Sequence, residues 1–109
     1  SLQSHITLPA LSIYAASKAG VKQFTKGLAN EWAQLGIRVN SISPAFIETA
    51  MVEKVLQNPA NRQLLESRTP LKRAGTPGEV AELILFLASP RSSYITGADI
   101  PIDGGWTAS

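Results

Sequence analysis

The sequence has no cysteine and a single histidine, His5, in 109 residues. Without thiols there is no disulfide framework, no thiolate zinc site and no cysteine nucleophile, and one imidazole cannot by itself build a histidine cage, so no metal site is expected. Charge of one sign is scarce as well. Ten Lys and Arg stand against eight Asp and Glu, a net +2 that carries no electrostatic footprint for nucleic acid. The longest apolar run, Leu83 to Ala88, falls far short of the roughly 18 residues a membrane span needs, and no charged-then-apolar signal segment opens the chain. A soluble, cytoplasmic protein is therefore expected. What remains, 44% apolar and 17% charged with no repeat or low-complexity tract, is the balance of one globular unit.

The punctuation along the chain divides it into helices and strands. Residues 1–11 read as a loop containing Pro9, with Ser12 as the cap of a first helix. From Ile13 to Leu35 the residues Val21, Phe24, Leu28, Trp32 and Leu35 recur at steps of three and four, the pattern of an amphipathic helix with that stripe buried. Gly36 sits where a C-cap glycine belongs. Ile37 to Ser43, rich in β-branched residues and closed by Pro44, predicts a buried strand. Met51 to Gln57 reads as a short helix, and Asn58-Pro59 as the cap and first position of another. Thr76-Pro77-Gly78-Glu79 is a capping box that launches a helix through Ala88, with Val80, Leu83, Ile84 and Leu87 on one face. Residues 97–105 hold a short strand whose Pro101 points to an edge position. Helix, strand, helices, strand is the α/β alternation of a parallel sheet.

Tyr14 and Lys18 are the pair with chemical promise, since a spacing of four brings them to one helical face beside the apolar stripe. A tyrosine hydroxyl normally ionises near pH 10, but a neighbouring ammonium and the amino-terminal end of the helix dipole both favour the phenolate. A phenol tuned in this way can pass a proton to or from an alcohol or carbonyl oxygen. The plainer reading of the same spacing is a half-buried aromatic next to a solvated stripe of Lys18, Lys22 and Lys26.

The run Tyr14-Ala15-Ala16-Ser17-Lys18-Ala19-Gly20-Val21 resembles the active-site helix of the short-chain dehydrogenase/reductase family, and Ser1 lies thirteen residues earlier, where that family's catalytic serine is expected. Three more stretches follow in the family's order. Arg38 to Pro44 is similar to its next strand, Pro44-Ala45-Phe46-Ile47-Glu48-Thr49 to its nicotinamide-contacting loop, and Ile102-Asp103-Gly104-Gly105 to its carboxyl-terminal signature. The resemblance implies Ser1, Tyr14 and Lys18 as the catalytic residues. It makes Tyr14 the general acid/base, Lys18 the group that lowers its pKa and holds the nicotinamide ribose, and Ser1 the holder of the substrate oxygen. It also implies NAD or NADP as cofactor, contacted by Tyr14, Lys18, Pro44, Ala45, the backbone of Ile47 and the hydroxyl of Thr49. The family's usual Pro-Gly reads Pro44-Ala45 here, a departure that costs something if the loop requires a positive φ. Thr49 also suits a helix N-cap, and a hydroxyl can fill both roles. Asn40, mid-strand, is expected to fix a neighbouring loop, and His5 to lie on a solvent-exposed one.

The family's Gly-rich phosphate turn and upstream asparagine have no counterpart in the sequence, and the first residue is Ser1, not Met. The resemblance thus implies an α/β fold: the C-terminal part of a Rossmann-type doubly wound parallel sheet, incomplete, with residues 1–109 as one portion of a single NAD(P)-binding domain. The implied function is hydride transfer between a nicotinamide and an alcohol or carbonyl substrate, with the isolated fragment inactive. Arg68-Thr69-Pro70-Leu71, Arg73, Gly75, Pro77 and Asp103-Gly104-Gly105-Trp106 look closest to the gluconate or deoxygluconate dehydrogenase type, which implies a sugar acid. The alternatives are a 3-oxoacyl-carrier-protein reductase and a non-catalytic module for helix-mediated association. Ala16, Gly20, Gln23, Gly27 and Gln34 form a small-residue face opposite the apolar stripe, and two glycines inside a helix cost about 1 kcal/mol each relative to alanine. The resemblance implies a homodimer or homotetramer through the Ile13–Leu35 helix and the C-terminal segment. An exposed Trp106 would be a subunit contact or a cover for the substrate pocket.

Overall fold

A computed structural model describes the backbone of residues 9–108 and the side chains of residues 18–108. These residues form four helices and two strands. Helix α1 spans Pro9–Trp32 and β1 Ser41–Pro44; α2 (Ala50–Leu56), α3 (Pro59–Arg68) and α4 (Pro77–Ala88) then lead to β2, Asp99–Ile102. The two strands are neighbours in one sheet. The Ser41 N–H donates to the Ala98 carbonyl at 2.9 Å and the Ala45 N–H to the Ile102 carbonyl at 3.3 Å, so both strands advance in the same direction and the pairing is parallel. The even-numbered carbonyls of β2 face β1, which turns Pro101 to the outer edge, where its missing N–H costs no ladder bond. The described residues divide into two compact units, one of residues 43–84 and 101–108, the other of residues 9–42 and 85–100.

In the second unit α1 already includes Ser12, so the expected cap lies inside the helix. At the other end a 3-10 turn, Ala33–Leu35, carries the chain to Gly36, whose φ of 75° and N–H bond to the Ala33 carbonyl make it the expected cap. The expected burial is overturned. Val21, Phe24 and Leu35 are 55%, 68% and 70% exposed, whereas Thr25 and Ala29 are buried at 6% and 4%. Small residues are what close approach demands on that side: the Ala29 methyl lies 3.3 Å from where a Cβ on Gly97 would stand. Lys22, on the same side, meets Asp99 at 3.5 Å.

The strand expected over Ile37–Ser43 is shorter and later, because residues 38–40 are held mostly by side chains, with the Gly97 N–H donating to the Val39 carbonyl at 2.7 Å as their main-chain tie. The Arg38 guanidinium donates to the carbonyls of Leu87 (2.9 Å), Ser89 (3.1 Å) and Ile95 (3.2 Å) and to the Ser92 hydroxyl (2.9 Å). Its charge therefore sits at the carboxyl end of α4, where the helix dipole is negative. Val39 N–H donates to the Thr96 hydroxyl, while Asn40 donates to the Ile95 carbonyl and accepts from the Ala98 N–H. Asn40 fixes the neighbouring loop, as its position suggested.

In the first unit the local signals read from sequence recur. Thr49 caps α2 by accepting from the Val52 N–H, and Asn58 caps α3 by accepting from the Ala60 N–H, with Pro59 at the first helical position. The α4 capping box is complete: Glu79 N–H donates to the Thr76 hydroxyl and Thr76 N–H to the Glu79 carboxylate. Leu65, Thr69, Ala74 and Trp106 are the buried residues of this unit. Leu83 and Leu87 of α4 are half-buried, but Ile84 is exposed.

Candidate functional site

Three of the expected site residues lie in α1 or before it. Ser1 and His5 fall outside the described residues, as does the Tyr14 side chain. The Tyr14 backbone is helical and Lys18 follows one turn later, with its side chain half-buried. The spacing that gave the pair its chemical interest is therefore realised in the backbone.

The loop expected to meet a nicotinamide leaves the carboxyl end of β1. Pro44 is the last strand residue, and Ala45 continues the pairing to Ile102. Lys72 is the only non-glycine residue with positive φ among those described, so Ala45 sits in ordinary backbone and its methyl brings no strain. Ile47 then forms an isolated parallel bridge with Gly75. Gly75 N–H donates to the Phe46 carbonyl at 2.9 Å, and Glu48 N–H donates to the Gly75 carbonyl at 2.7 Å. In a parallel bridge the central residue uses neither of its own polar groups, so the Ile47 N–H and carbonyl face away from Gly75. A Cβ on Gly75 would stand 3.1 Å from Ile47 Cδ1, a tight approach that the isoleucine tip would have to yield to. Thr49 accepts from the Val52 N–H at 3.2 Å, which leaves its own hydroxyl proton to donate.

Behind the loop lies a set of residues whose joint role was not visible in the sequence. The Phe46 ring meets Trp106 edge-on at 5.1 Å and 61°. Trp106 is 6% exposed, which corrects the expectation of a bare aromatic at the chain end. Asp103 shapes the turn that delivers it, accepting from Gly105 N–H (2.9 Å), Thr107 N–H (3.2 Å) and the Thr107 hydroxyl (2.7 Å). Phe46, Arg73, Gly75, Glu79 and Asp103 help line a cavity of about 100 Å³. Arg73 and Glu79 pair through both prongs, Nη1 to Oε1 at 2.8 Å and Nη2 to Oε2 at 3.0 Å. The hydrogen bonds from Arg73, then that from Thr76 N–H, hold the Glu79 carboxyl down at about 2 from its ordinary 4.5. Arg73, Gly75 and Asp103 to Trp106 entered the sequence reading only through the family resemblance, and the capping box marks a helix start without naming Arg73 as a partner. Among the described residues no helix is long and apolar enough to cross a membrane.

A family model described as enoyl-(acyl carrier protein) reductase matches residues 1–107. The chain belongs to the short-chain dehydrogenase/reductase family. A family relative, a tropinone reductase homolog from Datura stramonium, is 49% identical over 105 residues, covering 94% of this chain and 39% of the relative. A 4-hydroxyisoleucine dehydrogenase solved in complex with NADH superposes on the whole chain with a TM-score of 0.88 and 37% identity, over 45% of its own length. A gluconate 5-dehydrogenase from Burkholderia cenocepacia, solved with NADP and tartrate, superposes with a TM-score of 0.86 and 35% identity, over 43% of its length. The parallel α/β arrangement is thus that of Rossmann-type family members, and the chain spans less than half the length of these relatives.

Proposed function

We propose that the protein carrying this chain is a cytoplasmic NAD(P)-dependent oxidoreductase that transfers hydride between a nicotinamide and an alcohol or carbonyl substrate. Residues 1–109 would be the C-terminal portion of its dinucleotide-binding domain. The observation that carries the reading is the free edge of Ile47. One N–H and one carbonyl, side by side at the carboxyl end of a parallel strand, complement the carbonyl and amino group of a carboxamide. The Thr49 hydroxyl proton, two residues on, adds a donor to the same loop. Pro44 and the unstrained Ala45 set where this edge begins.

A bound nicotinamide supplies the hydride. The chain's part is to hold the carboxamide at Ile47 and Thr49 and to move the proton. Tyr14 is the acid/base group, Lys18 one turn away favours its ionised form and holds the ribose, and Ser1 fixes the substrate oxygen. A hydroxy acid such as a sugar acid is the substrate class this reading favours. Its support is the likeness to a gluconate dehydrogenase crystallised with NADP and the hydroxy acid tartrate. An acyl-carrier-protein reductase is the second reading, favoured by the description of the matching family. An association module without catalysis would have no use for a tyrosine and lysine one turn apart.

The test is nicotinamide absorbance change over a panel of sugar acids, repeated with Tyr14→Phe in the protein that carries this chain. Loss of the phenolic proton should lower kcat by about 10²–10⁴-fold with the fold intact. Undiminished turnover in the phenylalanine variant rejects the acid/base assignment.

A further inference from the structure

The Arg73–Glu79 pair is well formed for a surface pair whose side chains are 52% and 44% exposed. Exposed ion pairs contribute little to stability, so its two-pronged geometry has to be explained by what it orients. One carboxylate ties both ends of a four-residue segment. Glu79 Oε1 accepts from Arg73 and from Thr76 N–H at 2.9 Å, while Arg73 Nη1 also donates to the Ala74 carbonyl at 3.0 Å. Between these ties sits Gly75, whose only strand-like partner is Ile47. On its far side the loop leans on Trp106 through Phe46. The edge of Ile47 is therefore backed on one side by a strapped glycine and on the other by a buried ring, and the strap is the part that adds orientation at little cost to the fold.

We infer that Arg73 and Glu79 are positioning residues for the cofactor: by strapping Gly75 they fix the direction in which Ile47 presents its main-chain N–H and carbonyl to the nicotinamide carboxamide. This rests on the oxidoreductase reading above. A displacement of about 1 Å at a positioning contact is worth up to about a hundredfold in rate or binding, far more than such a pair is worth in stability.

The experiment uses Glu79→Gln, which keeps an acceptor for the capping box but removes the charge, and Arg73→Met. In the protein carrying this chain, titrations with NADH and NADPH and steady-state kinetics should show cofactor affinity and the cofactor KM weakened about tenfold or more. The KM of the second substrate and the melting temperature should change little. The exchange Arg73→Glu with Glu79→Arg should recover part of the loss. Cofactor affinity equal to wild type in both folded variants overturns the inference. So does a loss that tracks a matching fall in melting temperature, since the pair would then hold the fold and not aim the loop. A wild-type protein that binds neither NADH nor NADPH removes the oxidoreductase reading, and the inference with it.

Discussion

At Glu79 two carboxylate oxygens accept from both prongs of Arg73 and from the Thr76 backbone, and the carboxyl is held at about 2 against an ordinary 4.5. A folded-state pKa below the unfolded one means that protonation favours unfolding. The stabilisation is complete above about pH 4.5 and is lost as pH falls toward 2. Asp103 adds to the same side. Burial raises its carboxyl, but the Thr107 hydroxyl and the N–H groups of Gly105, Thr107 and Trp106 outweigh it, and the net shift is downward from 3.8. Solvent screening of so exposed a pair keeps this contribution small, so the melting temperature of the wild-type chain should fall only slightly more steeply between pH 4.5 and 2 than that of Glu79→Gln, and the variant should keep a residual slope from Asp103. Parallel melting curves for the two proteins across that range would contradict the assignment. Arg38 works at this scale through neutral acceptors, three carbonyls and a hydroxyl.

Helix α1 shows what periodicity can and cannot tell. Its stripe of Val21, Phe24 and Leu35 is real, yet the packed side within this chain is Thr25 and Ala29, two residues with no place in the apolar pattern. Ala29→Leu should destabilise the chain by about 1–3 kcal/mol, since a larger side chain has no room beside Gly97. Phe24→Gln should change stability by no more than about 0.5 kcal/mol, as exposed substitutions do. Urea denaturation of the two variants decides it, and the opposite ranking would mean that the stripe is covered after all. Signals that act over three or four residues were legible beforehand: the caps at Gly36, Thr49, Asn58 and Thr76 each follow from a short side chain or a glycine at the right offset. The supports of the candidate site were not. Gly75 meets Ile47 and Trp106 meets Phe46 across 28 and 60 residues of sequence, and nothing in a local pattern chooses those partners. Likewise the partners of Arg38 and Asn40, about 50 residues away in sequence, were not legible, and it is these side-chain bonds together with the Gly97–Val39 main-chain bond that hold the segment before β1.

For the whole molecule the fact with the widest reach is that this chain spans 39% of its Datura relative and leaves two faces of α1 uncovered. The small-residue face is the one that can be tested cleanly. Nothing lies within 4 Å of a Cβ placed at Gly20 or Gly27, and seven residues separate the two, so they share one side of the helix. Two helical glycines that contact nothing cost about 1 kcal/mol each relative to alanine, an expense that a second subunit's helix at close range would offset. The two possibilities separate by size of side chain. In this chain by itself Gly27→Ala should stabilise the fold by up to about 1 kcal/mol, because the space is open and the helix gains propensity. If a second subunit's helix packs on this face, Gly27→Leu should leave circular dichroism unchanged and yet lower the mass of the protein carrying this chain in light scattering, a dimer falling to monomer or a tetramer to dimer. A wild-type mass equal to monomer, or a leucine variant that keeps the full oligomeric mass, would show that this face of α1 meets solvent and not a second subunit.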